Sequence, residues 1–132
     1  MAVWLIPCNL TKYDVVGAFQ HLPAIDWKQG FNAEVGDIVL IYVSRPISAL
    51  VYSTCVRKVN LETIEIDDSK FVIDGGGYLT APKHMELKLI GKLDQNKYSL
   101  TELRKYGVKG NLQGPMRAPD VLIDALRAFG DL

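Results

Sequence analysis

Apolar residues occur in runs whose spacing predicts two strands in the first third of the chain. Residues 2–6 are all apolar and are followed by Pro7, which predicts a short buried strand that ends in a turn. A second run begins at Asp37, continues to residue 43 and is largely β-branched without alternation, as in a strand covered on both faces. Because Pro46 cannot continue an internal ladder, we expect this central strand to end before it.

Two later stretches also predict extended structure. Residues 49–66 form a second long extended segment. In residues 85–93 leucines alternate with lysines, which predicts a strand with one core face, one wet face and a bulge at Gly91. The three glycines at 75–77 lack the Lys-Ser/Thr ending of a phosphate loop, so we interpret them and Tyr78 as a hairpin or loop tip.

Helical spacing and capping signals predict two helices before the C-terminus. Thr11 and Asp14 have the form of a capping box, and the apolar residues that follow predict about three helical turns before Pro23. Ser99 and Glu102 repeat the capping-box pattern, which predicts a second, short helix.

A third helix is predicted at the C-terminus, with Pro119 at its first position and Gly130 after its end. Its apolar stripe consists of Val121, Leu122, Ala125, Leu126 and Phe129. The strands cluster in the middle of the chain instead of alternating with helices. This order favours the α+β class, with a mostly antiparallel or mixed curved sheet and peripheral helices.

Composition indicates one compact domain over residues 1–132. Hydrophobic residues make up 48% of the chain and charged residues 23%, close to the average for globular proteins. The apolar N-terminus has no basic region and soon reaches Pro7, and no segment approaches the ~18 apolar residues of a membrane span. We therefore expect a cytoplasmic protein that does not enter membranes, with Cys8 and Cys55 as free thiols.

Charge is balanced overall but unevenly placed. Fifteen basic and fifteen acidic residues give a net charge of zero, which argues against indiscriminate coating of nucleic acid. Residues 83–117 nevertheless contain eight basic and three acidic residues. This bias allows a basic face, although a solvated mixture of strands and helices is its more frequent origin.

Signals for metal binding or catalysis are weak. His21 and His84 are isolated in the sequence, and neither Cys8 nor Cys55 has a partner at metal-ligand spacing, so we expect no metal and no cofactor. The acidic residues at 67, 68 and 74 lack the glycine and terminal glutamate of a calcium loop. No nucleophile motif is present either, and we predict a binding protein instead of an enzyme.

Aromatic and polar residues near the predicted strand ends remain as candidates for ligand binding. The aromatic residues are Trp4, Tyr13, Trp27, Tyr42 and Tyr78, and the polar ones are Asn9, Ser44, Arg45, Gln113 and Arg117. Aromatic walls stack on bases with ~1 to 3 kcal/mol each, while polar groups identify the base edge. Trp27 lies in a stretch, 24–32, whose composition predicts a polar loop, although a single Trp is more often part of a core.

Several segments resemble an EVE domain, a member of the PUA-like superfamily that also contains YTH and ASCH domains. They are WLIPCN, IDWKQGFN, VGDIVLIYVSRP with the long strand after it, and APKHMELKLIGKL. The resemblance spans nearly the whole chain, and its most specific part is Gly36-Asp37 followed by an apolar strand and Tyr42. It implies a strongly curved mixed β-barrel of about five or six strands with peripheral helices. It also implies binding of DNA or RNA through a pocket for a flipped-out, usually modified base, such as a methylated one.

The resemblance also implies roles for individual residues. The base-binding pocket would consist of Trp27, Asn9, Cys8, Tyr42, Ser44 and Trp4. Trp27 would be one wall, and the opposite wall would be Trp4, Tyr42, Tyr78 or an aliphatic residue. Phosphate or strand contacts are predicted for Arg45, Arg117 and Lys83. If Trp27 is such a wall in a loop, Trp27→Ala should abolish selective binding and leave the melting temperature nearly unchanged.

Three other functions fit the same sequence. The pocket could serve a small-molecule or nucleotide-binding regulatory module, whose affinity would depend little on salt, whereas phosphate contacts make strand binding fall steeply with salt. The chain could be an interaction subunit of a restriction or toxin system. An enzyme that hydrolyses modified nucleosides, as suspected for some ASCH domains, would need a Lys, an acid or a Thr poised in the pocket.

Overall fold

A computed structural model describes residues 1–74 and 81–132 of the chain, in which six strands form one mixed sheet. The strands are β1 (Val3–Cys8), β2 (Ala24–Lys28), β3 (Ile38–Val43), β4 (Ala49–Leu61), β5 (His84–Lys92) and β6 (Met116–Arg117). Their order across the sheet is β2-β5-β4-β3-β1-β6, and β1 and β3 are parallel while the other neighbours are antiparallel. The α+β class is confirmed. The predicted loop tip at Gly75–Gly77 and Tyr78 lies outside the described residues.

Among the described residues the sheet does not close into a barrel, so that part of the fold prediction is wrong. In the part of the chain that the structure describes, no ladder joins the two outermost strands, β2 and β6. β6 contains only two residues and pairs with Trp4 and Leu5 of β1. Pro115 and Pro119 flank it closely, and because proline has no backbone N–H, neither can extend a ladder.

β1 continues through Pro7 to Cys8, where we expected it to end at the proline. The carbonyl oxygen of Cys8 accepts a hydrogen bond from the N–H of Ser44 (3.0 Å) and so faces the side of β3. Since successive residues of a strand point their backbone groups to opposite sides, Pro7 turns its nitrogen toward the other side. There β6 has already ended, so the missing N–H interrupts no ladder.

The predicted central strand is confirmed by β3, in which all six residues are buried. Alternate residues of β3 contribute to two apolar clusters, with Val39, Ile41 and Val43 in the first and Ile38, Leu40 and Tyr42 in the second. The predicted bulge near Gly91 is also confirmed: Ser53 and Thr54 pair with Gly91 and Leu89, which leaves Ile90 as the extra residue.

Three α-helices are described, and the cap of the first differs from the prediction. They are α1 (Val15–His21), α2 (Leu100–Lys105) and α3 (Asp120–Ala128), and a short 3₁₀ helix covers Ser69–Phe71. Asp14 caps α1, accepting a hydrogen bond from the N–H of Gly17 (2.9 Å), whereas Thr11 bonds to Asn9. A Cβ atom on Gly17 would lie 2.3 Å from the Asp14 carboxylate, so glycine makes room for the cap. α1 therefore starts later than predicted and spans two turns instead of three.

The other two helices agree more closely with the sequence. The Ser99 hydroxyl accepts a hydrogen bond from the N–H of Glu102 (3.3 Å), which confirms the cap of α2. In α3, Leu122 is fully buried, but Val121 is 54% exposed and Phe129 is 44% exposed. Val121 and Phe129 are therefore not part of the buried stripe that was predicted. Phe129 follows the last helical turn as its C-cap.

The Gly36-Asp37 pair, the most specific part of the resemblance, has a structural role. The buried carboxylate of Asp37 accepts hydrogen bonds from the N–H groups of Ala2 (2.9 Å) and Glu34 (3.0 Å) and from the indole of Trp4 (3.1 Å). Burial alone would raise the pKa of the Asp37 carboxyl, but these bonds and the N-terminal ammonium group outweigh it and lower the pKa. Asp37 thus ties the start of β1 to the start of β3.

Candidate functional site

A cavity of about 580 Å³, here called the large cavity, opens where β1 and β3 end. It is lined by Pro7, Cys8, Asn9, Thr11, Lys12, Lys28, Tyr42, Ser44, Arg45, Leu112 and Gln113. Five predicted site residues are thereby brought together: Cys8, Asn9, Tyr42, Ser44 and Arg45. Its volume lies within the ~300 to 1,000 Å³ typical of ligand pockets.

Parallel pairing places these residues side by side. Cys8 and Val43, the last residues of β1 and β3, are in register, so the next residues of both strands leave the sheet together. The Ser44 hydroxyl then accepts a hydrogen bond from the N–H of Leu10 (3.1 Å) and holds the two chain exits against each other. The two strand ends thus form one continuous wall of the large cavity.

Three basic side chains line the large cavity, and no carboxylate does so among the described residues. The basic residues, Lys12, Lys28 and Arg45, are all exposed and come from three different segments of the chain. The ion pairs in the described part of the chain, Lys58–Glu65 and Lys105–Glu102, involve neither Lys12 nor Arg45. In a protein of zero net charge, these three side chains concentrate positive charge at the large cavity.

A second cavity of about 300 Å³, here called the small cavity, adjoins the first and shares Pro7, Lys28 and Gln113 with it. It is lined by Ile6, Pro7, Trp27, Lys28, Gly30, Gln113, Gly114 and Pro115. These residues come from β1, from β2 and its exit, and from the segment before β6. The small cavity therefore lies at the open side of the sheet, between its two outermost strands.

Trp27 lies in β2 and not in a polar loop. It pairs with Met85 of β5, is only 2% exposed and makes an edge-to-face contact with Tyr13, with ring centroids 5.3 Å apart. Ile25 and Trp27 alternate with Asp26 and Lys28, which is the period of two of a strand. The two charged residues in so short a segment led to the prediction of a polar loop. Asp26 is itself buried because its carboxylate accepts hydrogen bonds from the N–H groups of residues 65 and 66, at 2.6 and 2.8 Å.

Trp4 and Arg117 line a different cavity, of about 280 Å³, near the N-terminus. The Trp4 ring lies 4.6 Å from that of Phe31, and the Arg117 guanidinium lies 5.0 Å from the Trp4 centroid. The structure therefore does not bring these two predicted residues to the cavities around Cys8 and Trp27. The proposed opposite wall at Tyr78 lies outside the described residues.

Lys83 lies just before β5, beside the end of β2. Its carbonyl oxygen accepts a hydrogen bond from the N–H of Gln29 (3.0 Å), and the next residue, His84, pairs with Lys28. Its exposed side chain does not line either cavity in the described structure. Lys83 is thus near the site without forming part of its walls.

Sequence reasoning missed Lys12 and Lys28 as site residues. Their positions in the sequence could have identified them. Lys12 follows Asn9 by three residues, and Lys28 follows Trp27 directly, and both Asn9 and Trp27 were already candidates. Gln113 was proposed only as a hydrogen-bonding residue, since its loop could not be assigned a place. The structure puts it at the boundary between the two cavities.

The described residues contain no group of three or more His, Cys, Asp or Glu side chains arranged to hold a metal ion. Cys8 is buried behind the large cavity, with its Sγ 3.7 Å from the carbonyl oxygen of Tyr13, and Cys55 is not in a disulfide. None of the helices in this part of the chain has the length and apolar character required to cross a bilayer.

The sequence matches no protein-family model and no curated protein, but solved structures resemble it over its whole length. The ASCH protein from Zymomonas mobilis superposes with a TM-score of 0.61 at 9% identity, covering 93% of this chain and 94% of that one. Human THYN1 in complex with DNA containing 5-methylcytosine superposes with a TM-score of 0.62 at 10% identity, covering 100% and 99%. The chain has a PUA-like fold.

A hypothetical protein from Leishmania major has the same PUA-like arrangement, with a TM-score of 0.59, 15% identity, and coverage of 100% of this chain and 98% of that one. At these identities the likeness establishes the fold and leaves function to the site. The PUA-like fold explains why residues distant in sequence, such as Asn9, Lys28 and Arg45, line one cavity.

Proposed function

We propose that this protein is an EVE-like domain that binds nucleic acid through a flipped-out, modified base, without catalysing a reaction. The observation that carries the proposal is the pair of adjoining cavities: the described lining of one has three cations and no carboxylate, and that of the other is largely apolar. A nucleotide has the same two parts, a charged phosphate and a flat, largely apolar base. The complex of human THYN1 with DNA containing 5-methylcytosine, on the same fold, supports this choice of ligand.

The small cavity is the place for the base. Ile6, Trp27 and the prolines Pro7 and Pro115 supply apolar walls, and a base methyl group buried there would gain ~25 cal/mol per Å² of apolar area. Because Trp27 is only 2% exposed, it offers little ring surface for stacking on a base. Selection of a modified base then depends on filled apolar volume more than on an aromatic cage.

A nucleotide-binding regulatory module is the second candidate, and the size of the large cavity favours it. About 580 Å³ is enough for a complete small ligand without any contribution from a strand. Such a ligand would be a free nucleotide or a similar anionic metabolite.

Binding to oligonucleotides separates these functions. The purified protein is titrated with single- and double-stranded oligonucleotides that carry cytosine or 5-methylcytosine, followed by other modified bases, at two salt concentrations. We expect preference for a modified strand, strongest where the base is already unpaired, because flipping costs a few kcal/mol. Each phosphate of a single strand that the protein neutralises would add about −0.7 to the slope of log K against log salt.

Three results would overturn the proposal. Absence of affinity for any strand, together with a stable protein partner, would indicate an interaction subunit. Salt-independent binding of a free base or metabolite would indicate the regulatory module. Recovery of a hydrolysed nucleoside after incubation would show that the protein is an enzyme.

A further inference from the structure

Asn9 is a polar residue of the large cavity whose side-chain orientation is fixed by its neighbours. Its Oδ1 accepts hydrogen bonds from the backbone N–H of Thr11 (3.0 Å) and from the Thr11 hydroxyl (2.7 Å). Exchanging the amide oxygen and nitrogen would set the Asn9 NH₂ group against the Thr11 N–H, two donors facing each other. Asn9 therefore has its NH₂ group to offer to a ligand, and its acceptor is already used.

Most of the other polar groups of the large cavity are donors as well, while Thr11, Tyr42 and Gln113 can also accept. The Ser44 oxygen accepts the N–H of Leu10 (3.1 Å), so its hydroxyl hydrogen remains for a ligand. Lys12, Lys28 and Arg45 carry only donors in their charged groups. These groups come from the wall formed by the exits of β1 and β3 and from the end of β2.

A wall in which charged and oriented donors predominate matches the edge of a nucleobase poorly. Cytosine and adenine present an amino donor beside their acceptors, and a donor facing a donor leaves both unsatisfied. A phosphate group has only acceptor oxygens and a negative charge, and it matches the Asn9 amide, the Ser44 hydroxyl and the three cations together. Gln113, which has both a donor and an acceptor, lies where the two cavities meet and suits a base edge better.

We infer that the large cavity is a phosphate subsite, in which Asn9 is an oriented donor, and that the base lies beyond it in the small cavity. The placement of a base in the small cavity rests on the proposed function, whereas the phosphate subsite does not. It transfers Cys8, Asn9, Tyr42 and Ser44 from the predicted base pocket to the walls of an anion site. The phosphate belongs either to a strand or to a free nucleotide, since both present the same group.

Asn9→Asp tests the subsite with a nearly isosteric change. The remaining oxygen can still accept both bonds from Thr11, while the group facing the cavity changes from a donor to a negatively charged acceptor. Asn96→Asp is the matched control, because Asn96 is exposed and lines neither cavity, and it changes the net charge equally. Arg45→Gln, with Arg57→Gln on exposed β4 surface as its control, provides a second pair that does not involve the Asn9 turn.

The probes are inorganic phosphate, 5-methyl-2′-deoxycytidine, its 5′-monophosphate and a single strand that contains it. Phosphate should shift the Asn9 side-chain amide signal in a saturable manner, and the monophosphate should bind at least ~10-fold more tightly than the nucleoside, as charged hydrogen bonds imply. Asn9→Asp and Arg45→Gln should remove that advantage and leave nucleoside affinity within about twofold. Both controls should retain the advantage.

The outcomes distinguish the two proposals. Saturable phosphate binding that depends on Asn9, without affinity for any strand, would support the subsite, identify a free nucleotide as its source and refute nucleic-acid binding. Strand binding that Asn9→Asp and Asn96→Asp weaken equally, with no shift of the Asn9 amide by phosphate, would refute the subsite and leave nucleic-acid binding standing.

Discussion

Replacing Trp27 with alanine should destabilise the protein strongly, contrary to the expectation for a tryptophan in a loop. The side chain is 2% exposed and belongs to the first apolar cluster, with Tyr13, Ile25 and Met85. Its removal loses the burial of a large apolar surface and leaves a cavity next to Tyr13. Trp→Ala changes in such positions cost about 3 to 5 kcal/mol, of which the edge-to-face contact with Tyr13 accounts for about 0.5 to 1.5.

This loss is a large part of the total stability. A chain of 132 residues is expected to have a free energy of unfolding of about 7 to 20 kcal/mol. For a domain of this size, each kcal/mol shifts the melting temperature by about 3 to 5 °C, so Trp27→Ala should lower it by about 10 to 20 °C. Trp27→Phe keeps an aromatic ring in the same place and should cost less than half as much.

Thermal and urea unfolding, followed by circular dichroism, measure this effect for the wild type and both variants. The slope of the urea transition should stay unchanged if only stability is altered. A melting temperature for Trp27→Ala within about 2 °C of the wild type would refute the placement of Trp27 in the core. Ligand binding must then be compared well below the melting temperature of each variant, because unfolding would otherwise be mistaken for loss of the site.

Two further predictions concern buried carboxylates and a helix cap. The pKa of the Asp37 carboxyl is lowered in the folded protein, so its stabilising effect is present at pH values above its usual pKa of 3.8 and is lost on acidification. Asp37→Asn should therefore lower the melting temperature by an amount that increases as pH rises from about 3 to 6. Burial is the main cause of the raised pKa of Asp68, so its contribution to stability is present below pH 3.8 and is lost as pH rises. Asp68→Asn should therefore gain stability relative to the wild type over the same pH range. Parallel pH profiles for the two variants would contradict at least one of these assignments. Ser99→Ala should cost about 1 kcal/mol in urea unfolding through loss of the α2 cap, while Thr101→Ala on the exposed first turn should cost much less; equal losses would show that the cap does not contribute.

The main elements of the fold were predictable because their signals are local. An unbroken β-branched run at 38–43 predicted a strand buried on both faces, and the cap at Ser99 and the bulge near Gly91 were read correctly from a few neighbouring residues. Prediction failed where a distant partner decides the structure. β1 passes through Pro7 because β6 ends before it, and Asp14 replaces Thr11 as the cap because Thr11 is bonded to Asn9.

The candidate site was predictable only in part. The ends of β1 and β3 were expected to meet, and the structure brings Asn9 and Ser44 to one cavity. Trp4 was expected there as well, but its indole donates a hydrogen bond to Asp37 at the opposite end of β1. Both strand ends carry polar and aromatic residues, and only the strand direction and pairing show which residues share an end.

The sequence by itself determined the α+β class, the buried central strand and the polar character of the strand exits. Hydrophobic periodicity and the prolines, glycines and capping residues that end an element act over only a few residues. Only the tertiary structure decided that Trp27 is a core residue and that Lys12, Lys28 and Arg45 line one cavity. It also decided that no ladder among the described residues joins β2 and β6 beside the small cavity. These features depend on contacts between residues far apart in the chain, and the energy of such contacts is not encoded in the local pattern of any one segment.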